Sequence, residues 1–238
     1  MIDKVINHLV ARHILYPSLL PCLLDVNVAS RKNLGTNAGI KLVLNFHQIC
    51  KIKYKTYYVL KCDISKFFAS IDHNILKEKL KRRIKDKDAL KIVFDIIDNE
   101  EHGLSIGAMT SQILAIFYLN DMDHFIKENL KIRYFIRYQD DWLMFHHSKE
   151  YLKYCLEELK KFLKNENLAL NKKTRIFKNT NNFIFLGRKS NGNYSKYRDV
   201  NKKIRKKIYL YNTNQIELNS LVTSIICYNN LCKKGGNF

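Results

Sequence analysis

Tyr138-Gln139-Asp140-Asp141 lies between two apolar runs, and this stretch decides the fold. Upstream, Ile132, Tyr134, Ile136 and Tyr138 alternate with Arg133, Phe135 and Arg137. Downstream, the apolar run Trp142-Leu143-Met144-Phe145 follows. Two β-patterned runs around a tight polar turn predict a hairpin. Its tip would carry two adjacent carboxylates, which repel each other and stay ionised best beside a cation. The simpler alternative is a solvated turn, because Asp and Gln are ordinary turn residues.

A third carboxylate stands upstream, at the end of another predicted strand. Residues 57–62 have the pattern of a buried strand that ends at Asp63, which precedes Asp140 by 77 residues. Asp63-Ile64-Ser65-Lys66-Phe67-Phe68 continues from this strand and closes with Ile71-Asp72-His73. Two-metal phosphoryl transfer needs carboxylates from separate chain segments around ions roughly 3.5–4 Å apart. The two segments together therefore favour a two-metal phosphoryl-transfer site over a solvated turn.

These motifs resemble the catalytic motifs of reverse transcriptases, and three further segments follow the same order. Residues 103–112, which precede an apolar helical pattern over 113–130, resemble the template- and nucleotide-positioning motif. Residues 168–174 and 183–187 resemble the two motifs that come next. Gly107 would give close backbone approach, and Thr110 or Ser111 a helix cap. The resemblance is firm from about residue 57 to residue 187.

One departure from the usual pattern points to a subtype. Most reverse transcriptases have Gln-Gly followed by Ser-Pro in the positioning motif, whereas this chain has Ile106-Gly107 and Ser111-Gln112. That variant resembles the reverse transcriptases of diversity-generating retroelements, which occur in bacteria. The resemblance then implies error-prone copying, because Ile106 offers only apolar contact where Gln can hydrogen-bond.

The resemblance implies roles for the residues that match each motif. Mg²⁺, with Mn²⁺ as the alternative ion, would be held by Asp63, Asp140, Asp141 and the carbonyl of Ile64. Phe68 would be a steric gate against ribonucleotides, with packing in the core as the alternative. Lys173 would protonate the leaving pyrophosphate, although a surface lysine is ordinary in so basic a chain.

Further residues would bind substrates. The nucleotide would contact two loop cations, the predicted gate and the positioning motif, through Arg31, Lys32, Phe68, Ile106, Gly107 and Gln112. For Arg31 and Lys32 the alternative is that they are ordinary exposed cations of a loop, with no role in nucleotide binding. The primer and template would meet the hairpin tip, the following turn and a basic segment, through Tyr138, Gln139, Leu186, Gly187, Lys202, Lys203, Arg205 and Lys206.

The charge of the chain supports a nucleic-acid partner. The 238 residues carry a formal net charge of +20. The segment from Lys172 to Lys207 contains thirteen Lys or Arg residues and one acidic residue, Asp199. Such an excess predicts a polyanion, with nucleic acid favoured over an anionic membrane or a merely solvated face. The apolar stretch over 14–24 is too short to span a bilayer, and residues 1–4 do not open a signal peptide. These features predict a cytoplasmic protein. His146-His147 is interpreted as structural rather than as a metal site.

The order of the predicted elements suits an α+β, right-hand polymerase fold. We expect a fingers region over 1–56, an antiparallel-sheet palm over 57–187 and a short helical thumb over 188–238. We expect this thumb to be shorter than that of a full polymerase, so that an accessory protein or a structured RNA could complete the binding surface. The expected partners are an RNA template, a DNA or RNA primer and deoxynucleoside triphosphates.

Two alternatives to the diversity-generating type stay open. One is another bacterial reverse transcriptase, of the retron, group II intron or abortive-infection type. The other is a non-catalytic nucleic-acid-binding protein on a decayed polymerase fold. Decay would be expected to remove a carboxylate, and all three are present.

Overall fold

The computed structural model describes residues 2–31, 33–191, 195–197 and 200–233. The chain divides into two compact units, residues 1–179 and 180–238. The first unit contains the predicted hairpin, with Asp140 and Asp141, and the upstream carboxylate Asp63. The fingers, palm and thumb bounds given above stay predictions.

The first unit opens with helices and then enters its sheet. These segments are α1 (Ile2–Val10), a π-helix (Ala11–Leu15), α2 (Tyr16–Leu19), a 3₁₀ turn (Leu20–Cys22), α3 (Thr36–Tyr54), β1 (Tyr58–Asp63), α4 (Phe67–Ser70), α5 (His73–Arg83), α6 (Lys87–Asp98), α7 (Met109–Tyr118), α8 (Asn120–His124), a second π-helix (Phe125–Asn129), β2 (Tyr134–Tyr138), β3 (Asp141–His146), α9 (Lys149–Asn165) and β4 (Arg175–Lys178).

The sheet of this unit has the order β2-β3-β1-β4, and all of its pairs are antiparallel. The predicted hairpin is confirmed as β2 and β3, with Tyr138 opposite Asp141. The predicted strand ending at Asp63 is confirmed as β1, which lies between β3 and β4. Apolar side chains of β1 and β3, such as Leu60, Cys62 and Trp142, belong to the buried core. This register places the last residue of β1 opposite the first residue of β3.

Capping residues fix where several helices begin. Asp72 accepts hydrogen bonds from the backbone N–H groups of Asn74 and Ile75 at the start of α5. At the start of α9, Ser148 Oγ accepts from the N–H of Tyr151 at 3.1 Å. Such side-chain acceptors satisfy N–H groups that have no partner within the helix.

Two details of the positioning motif and its helix differ from expectation. The cap predicted at Thr110 or Ser111 is wrong: α7 begins after Ala108 without a side-chain cap. Thr110 instead donates to Asn7 Oδ1 of α1 at 2.5 Å, so a tertiary contact uses the hydroxyl. The apolar pattern over 113–130 is not one helix, because α7 ends at Tyr118 and α8 and the π-helix follow. Burial nevertheless continues through most of this stretch.

The second unit contains a small antiparallel sheet and two helices. Its strands are β5 (Phe183–Phe185), β6 (Arg188–Ser190) and β7 (Ser195–Tyr197), in the order β5-β6-β7. They are followed by α10 (Val200–Asn212) and α11 (Leu218–Lys233). Among the described residues, no helix is long and apolar enough to cross a membrane.

Candidate active site

Three carboxylates meet at one end of the four-stranded sheet. Asp63, the last residue of β1, lies directly opposite Asp141, the first residue of β3. Asp140 precedes Asp141 in the turn, and its carboxyl group is close enough to Asp63 for the two to interact electrostatically. Burial raises the pKa of Asp140, and the neighbouring Asp63 raises it further. Like charges this close are difficult to ionise together, so the three carboxylates need a positive charge nearby.

Lys61 supplies part of that charge, and the sequence reasoning missed it. Its Nζ lies 2.5 Å from Asp141 Oδ1. Burial raises the pKa of Asp141 to about 6, while Lys61 acts in the opposite direction. Side chains two residues apart share one face of a strand, so the period of β1 places Lys61 beside Asp63. That period was the available signal for this contact.

The donor set fits a hard divalent cation. Carboxylate and carbonyl oxygens are the ligands that Mg²⁺ and Mn²⁺ prefer. Within the described residues, no three His, Cys, Asp or Glu side chains already converge as a preformed metal site. Asp141 is paired with Lys61, while Asp140 interacts with Asp63. Binding of an ion would then require Asp141 to exchange Lys61 for the metal.

A neighbouring segment supports the backbone of this site. The N–H of Asn171 donates to the Asp63 carbonyl at 2.7 Å, and Ile64 forms an isolated bridge with Leu170. Lys173 follows in the same turn, with an exposed side chain, and its N–H donates to Asn171 Oδ1. The structure therefore brings Lys173 near the backbone of Asp63. Its role as a proton donor stays a prediction.

The hairpin tip is held from inside by a buried ion pair. Arg137 and Asp123 are both fully buried, and the Arg137 Nε lies 2.7 Å from Asp123 Oδ1. Arg137 also donates through Nη1 to the Gln139 carbonyl at 2.9 Å and through Nη2 to the Ile116 carbonyl at 3.1 Å. Gln139 has φ +55, which is uncommon outside glycine. These bonds hold the turn that presents Asp140.

A second contact ties the tip to the N-terminal loop and the positioning motif. Gln139 Nε2 donates to Ser30 Oγ at 3.0 Å, and Ser30 Oγ donates to Gln112 Oε1 at 3.3 Å. Gln139 and Gln112, predicted to contact primer and nucleotide, are thus joined through one serine. Nothing in the sequence pattern indicated Ser30. Tyr138 closes β2 beside them and is half-buried.

The two predicted loop cations give different outcomes. The Arg31 guanidinium is bonded within its own loop, to the carbonyls of Leu24 and Asn27 and to Asp25. In this arrangement it shapes the loop, and nucleotide binding by Arg31 stays a prediction. Lys32 lies outside the described residues.

The predicted gate, Phe68, is joined by a backbone hydrogen bond to the segment that leads into the positioning residues Ile106 and Gly107. Phe68 lies in α4, half-buried, with its ring packed edge-on against the buried ring of Phe67. Its carbonyl accepts from the N–H of Leu104 at 2.8 Å. Ile106 is 87% exposed, and Gly107 has φ +103 with open space where a Cβ would stand. Glycine at 107 is therefore required by backbone conformation rather than by packing within this chain.

The remaining predicted contacts lie in the second unit. Leu186 and Gly187 form the two-residue turn between β5 and β6, with φ +49 and +75, the pattern of a tight hairpin turn. Four basic side chains lie exposed on α10, namely Lys202, Lys203, Arg205 and Lys206. Primer or template binding by these residues stays a prediction.

Comparison with known proteins identifies the family. The sequence profile of the family described as reverse transcriptase (RNA-dependent DNA polymerase) matches residues 1–190. The chain belongs to the reverse transcriptase family. It is also 27% identical over 112 residues to a yeast (Saccharomyces cerevisiae) protein provisionally named the COX1/OXI3 intron 2 protein. That match covers 42% of this chain and 12% of the yeast protein.

Solved structures confirm the right-hand polymerase fold predicted for this reverse transcriptase. Candida tropicalis telomerase, in complex with a fragment of telomeric RNA, superposes with a TM-score of 0.66 at 14% identity. Candida albicans telomerase in a corresponding complex gives 0.59 at 12% identity. These matches cover 93% and 96% of this chain, and 45% of each telomerase chain. The chain thus spans less than half the length of these proteins, and the likeness concerns fold alone.

Proposed function

We propose that this reverse transcriptase is an active RNA-directed DNA polymerase that adds deoxynucleotides to a primer on an RNA template. The observation that carries the proposal is the meeting of Asp63, Asp140 and Asp141 at one end of the sheet. A family member that had lost catalysis would have no reason to keep three mutually repelling carboxylates together. The non-catalytic alternative is therefore the weaker one.

The residues of the site would divide the work between metal binding and positioning. Asp63 and Asp140 would be the principal ligands of two Mg²⁺ ions, with Asp141 and the Ile64 carbonyl assisting. When bound, the ions neutralise the triphosphate and favour ionisation of the primer 3′-hydroxyl. Lys61, once released by Asp141, would remain a fixed positive charge beside the site. Arg137 and Ser30 would keep the turn and Gln139 in place while substrates bind.

The proposed activity is tested by primer extension. The purified chain should extend a labelled DNA primer on an RNA template with deoxynucleotides and Mg²⁺, and a chelator should stop it. Restoration by added Mg²⁺ or Mn²⁺ would support the metal requirement. Binding of the hybrid without extension, under conditions where a control polymerase extends it, would favour the non-catalytic alternative.

We further propose the diversity-generating type, on the strength of Ile106 and Gln112. Gln112 takes part in the Ser30 link, a bond that a proline at this position would not form. The second candidate is an intron-encoded reverse transcriptase, favoured by the match to the yeast intron protein. A template repeat and a near-identical variable repeat beside the gene would decide for the first. An accessory protein and a cytoplasmic location stay predictions.

Replacing Ile106 tests the error-prone character. The side chain is 87% exposed, so Ile106→Gln should fold without repacking. One added hydrogen bond near the nucleotide is worth about 0.5–1.5 kcal/mol, or roughly a threefold to tenfold lower misincorporation rate. Sequencing cDNA made from a defined template by both enzymes measures the change, which should be largest opposite template adenine. Ile106→Leu, which adds no polar group, is the control. Equal error spectra for all three would show that Ile106 does not set fidelity.

Replacing Phe68 tests the steric gate. Phe68→Ala should raise the ratio of ribonucleotide to deoxynucleotide incorporation efficiency, because the ring no longer meets the 2′-hydroxyl. An apolar pocket rejects even an isosteric added hydroxyl by about a hundredfold, so a rise of at least that order is expected when the clash is removed. Phe68→Leu, which keeps most of the packing on Phe67, should give an intermediate ratio. A ratio that does not rise in a variant shown to be folded by circular dichroism would assign Phe68 to the core.

A further inference from the structure

Five aromatic rings follow one another around the end of the four-stranded sheet that lies opposite the carboxylates. Their order is Tyr54, His147, His146, Tyr151 and Tyr154, with successive centroid distances of 5.0, 4.3, 4.7 and 5.9 Å. The interplanar angles lie between 30° and 39°, so each ring partly faces the next. We call this set the aromatic ladder. It joins the end of α3, the end of β3 and the start of α9.

The inner rings are fixed, while two rings present themselves to solvent. Tyr151 Oη donates to the Leu130 carbonyl at 2.8 Å, and His146 Nδ1 accepts from the N–H of Ser148 at 3.1 Å. Both of these side chains are half-buried. His147 is exposed, and Tyr154 is 53% exposed. A ring held by fixed neighbours loses little conformational freedom when a ligand stacks on it.

The surroundings of the aromatic ladder are positively charged. Residues 51–55 and 146–154 contain five lysines and one acid, Glu150. Glu150 is paired with Lys153 at 3.0 Å. Lys53 Nζ lies 5.1 Å from the centroid of the Tyr54 ring, within the range of a cation–π contact. The ladder is therefore bordered by cations that a polyanion would attract.

We propose that the aromatic ladder binds an unpaired stretch of the RNA template by base stacking. Exposed aromatic rings with adjacent cations are how proteins hold single-stranded nucleic acid without reading its sequence. The cores of protein–protein interfaces are depleted in lysine, whereas lysines border the two exposed rings here. The naming of the RNA as template rests on the proposed polymerase function.

The aromatic ladder is separate from the carboxylate site. His146 and Asp141 stand at the two ends of β3, which at about 3.4 Å per residue places them roughly 17 Å apart. Stacking here would therefore hold RNA that is not being copied at that moment. It would contribute affinity for long templates and leave the chemical step unchanged.

Binding of unstructured RNA tests the proposal. The probe is a labelled single strand of about a dozen nucleotides, followed by fluorescence anisotropy with the full chain. His147→Ala and Tyr154→Ala should each weaken binding about fivefold or more, since a stacked base is worth at least about 1 kcal/mol. Tyr154→Phe keeps the ring and should bind as the wild type does. Ile92→Ala, which removes an exposed apolar side chain of α6, is the matched surface control. Photo-crosslinking with 5-bromouridine RNA should label the segment 146–154.

The outcomes separate this proposal from the polymerase function. Extension of a short, fully paired primer–template should be equal in the wild type and in the double variant His147→Ala/Tyr154→Ala. Absence of extension in every protein would contradict the proposed function, while the RNA affinities could still be compared. Unchanged RNA affinity in the double variant, together with no crosslink in 146–154, would overturn the proposal and leave the ladder as a protein-facing surface.

Discussion

Asp140→Ala should abolish Mg²⁺-dependent primer extension and leave RNA binding intact. Asp140 is one of the three carboxylates at this end of the sheet, and burial raises its pKa. A metal ligand at the reacting phosphate is worth several kcal/mol of transition-state stabilisation, or about a thousandfold in rate or more. Binding, in contrast, should come from cations elsewhere, such as those on α10. Single-turnover extension beside a filter-binding assay separates the two effects.

Two variants keep this result interpretable. Asp140→Asn preserves the shape of the side chain and should be as inactive as Asp140→Ala, because it removes the charge that holds the ion. Asp98→Asn changes a carboxylate of the same unit that is paired with Lys77 on the surface, and it should extend as the wild type does. Near-normal extension by Asp140→Asn would remove Asp140 from the metal site.

The parts of the site that lie on regular strands could be predicted from the sequence. The alternation before Tyr138 and the polar Gln139-Asp140 turn define the hairpin, and the apolar run before Asp63 defines β1. Their meeting came from the resemblance, because nothing local to either segment specifies that β1 pairs with β3. Pairing of distant strands depends on long-range contacts that a local pattern does not encode.

Buried polar residues mark where the sequence reasoning failed. Arg137 alternates with apolar residues and looks like the solvent face of β2, yet the strand is buried on both faces up to Arg137. Asp123, fourteen positions away, neutralises it. Thr110 looks like a helix cap, yet Asn7 takes its hydroxyl. The break after Tyr118 interrupts a continuous apolar pattern, because burial does not require an unbroken helix. In each case a tertiary partner outweighed a local preference.

The buried pair gives the largest expected effect on stability. Asp123→Ala should lower the free energy of unfolding by about 3–5 kcal/mol, since it leaves the guanidinium of Arg137 buried without a counter-charge. Arg137→Met should cost a similar amount and should also slow extension, because the Gln139 carbonyl loses its donor beside Asp140. Urea unfolding followed by circular dichroism measures the first effect. Extension at saturating nucleotide measures the second.

A double variant and a surface pair complete the test of this buried interaction. Arg137→Met with Asp123→Leu removes both charges, and such replacements are often neutral or stabilising by about 1–4 kcal/mol. The double variant should therefore be more stable than either single variant, yet it should extend as slowly as Arg137→Met, because the support of Gln139 is still missing. Asp98→Asn breaks the exposed pair with Lys77 and should cost no more than about 1 kcal/mol. Recovery of both stability and extension rate in the double variant would show that Arg137 stabilises the core without positioning the catalytic turn. Full stability in the single variants would contradict the buried pair itself.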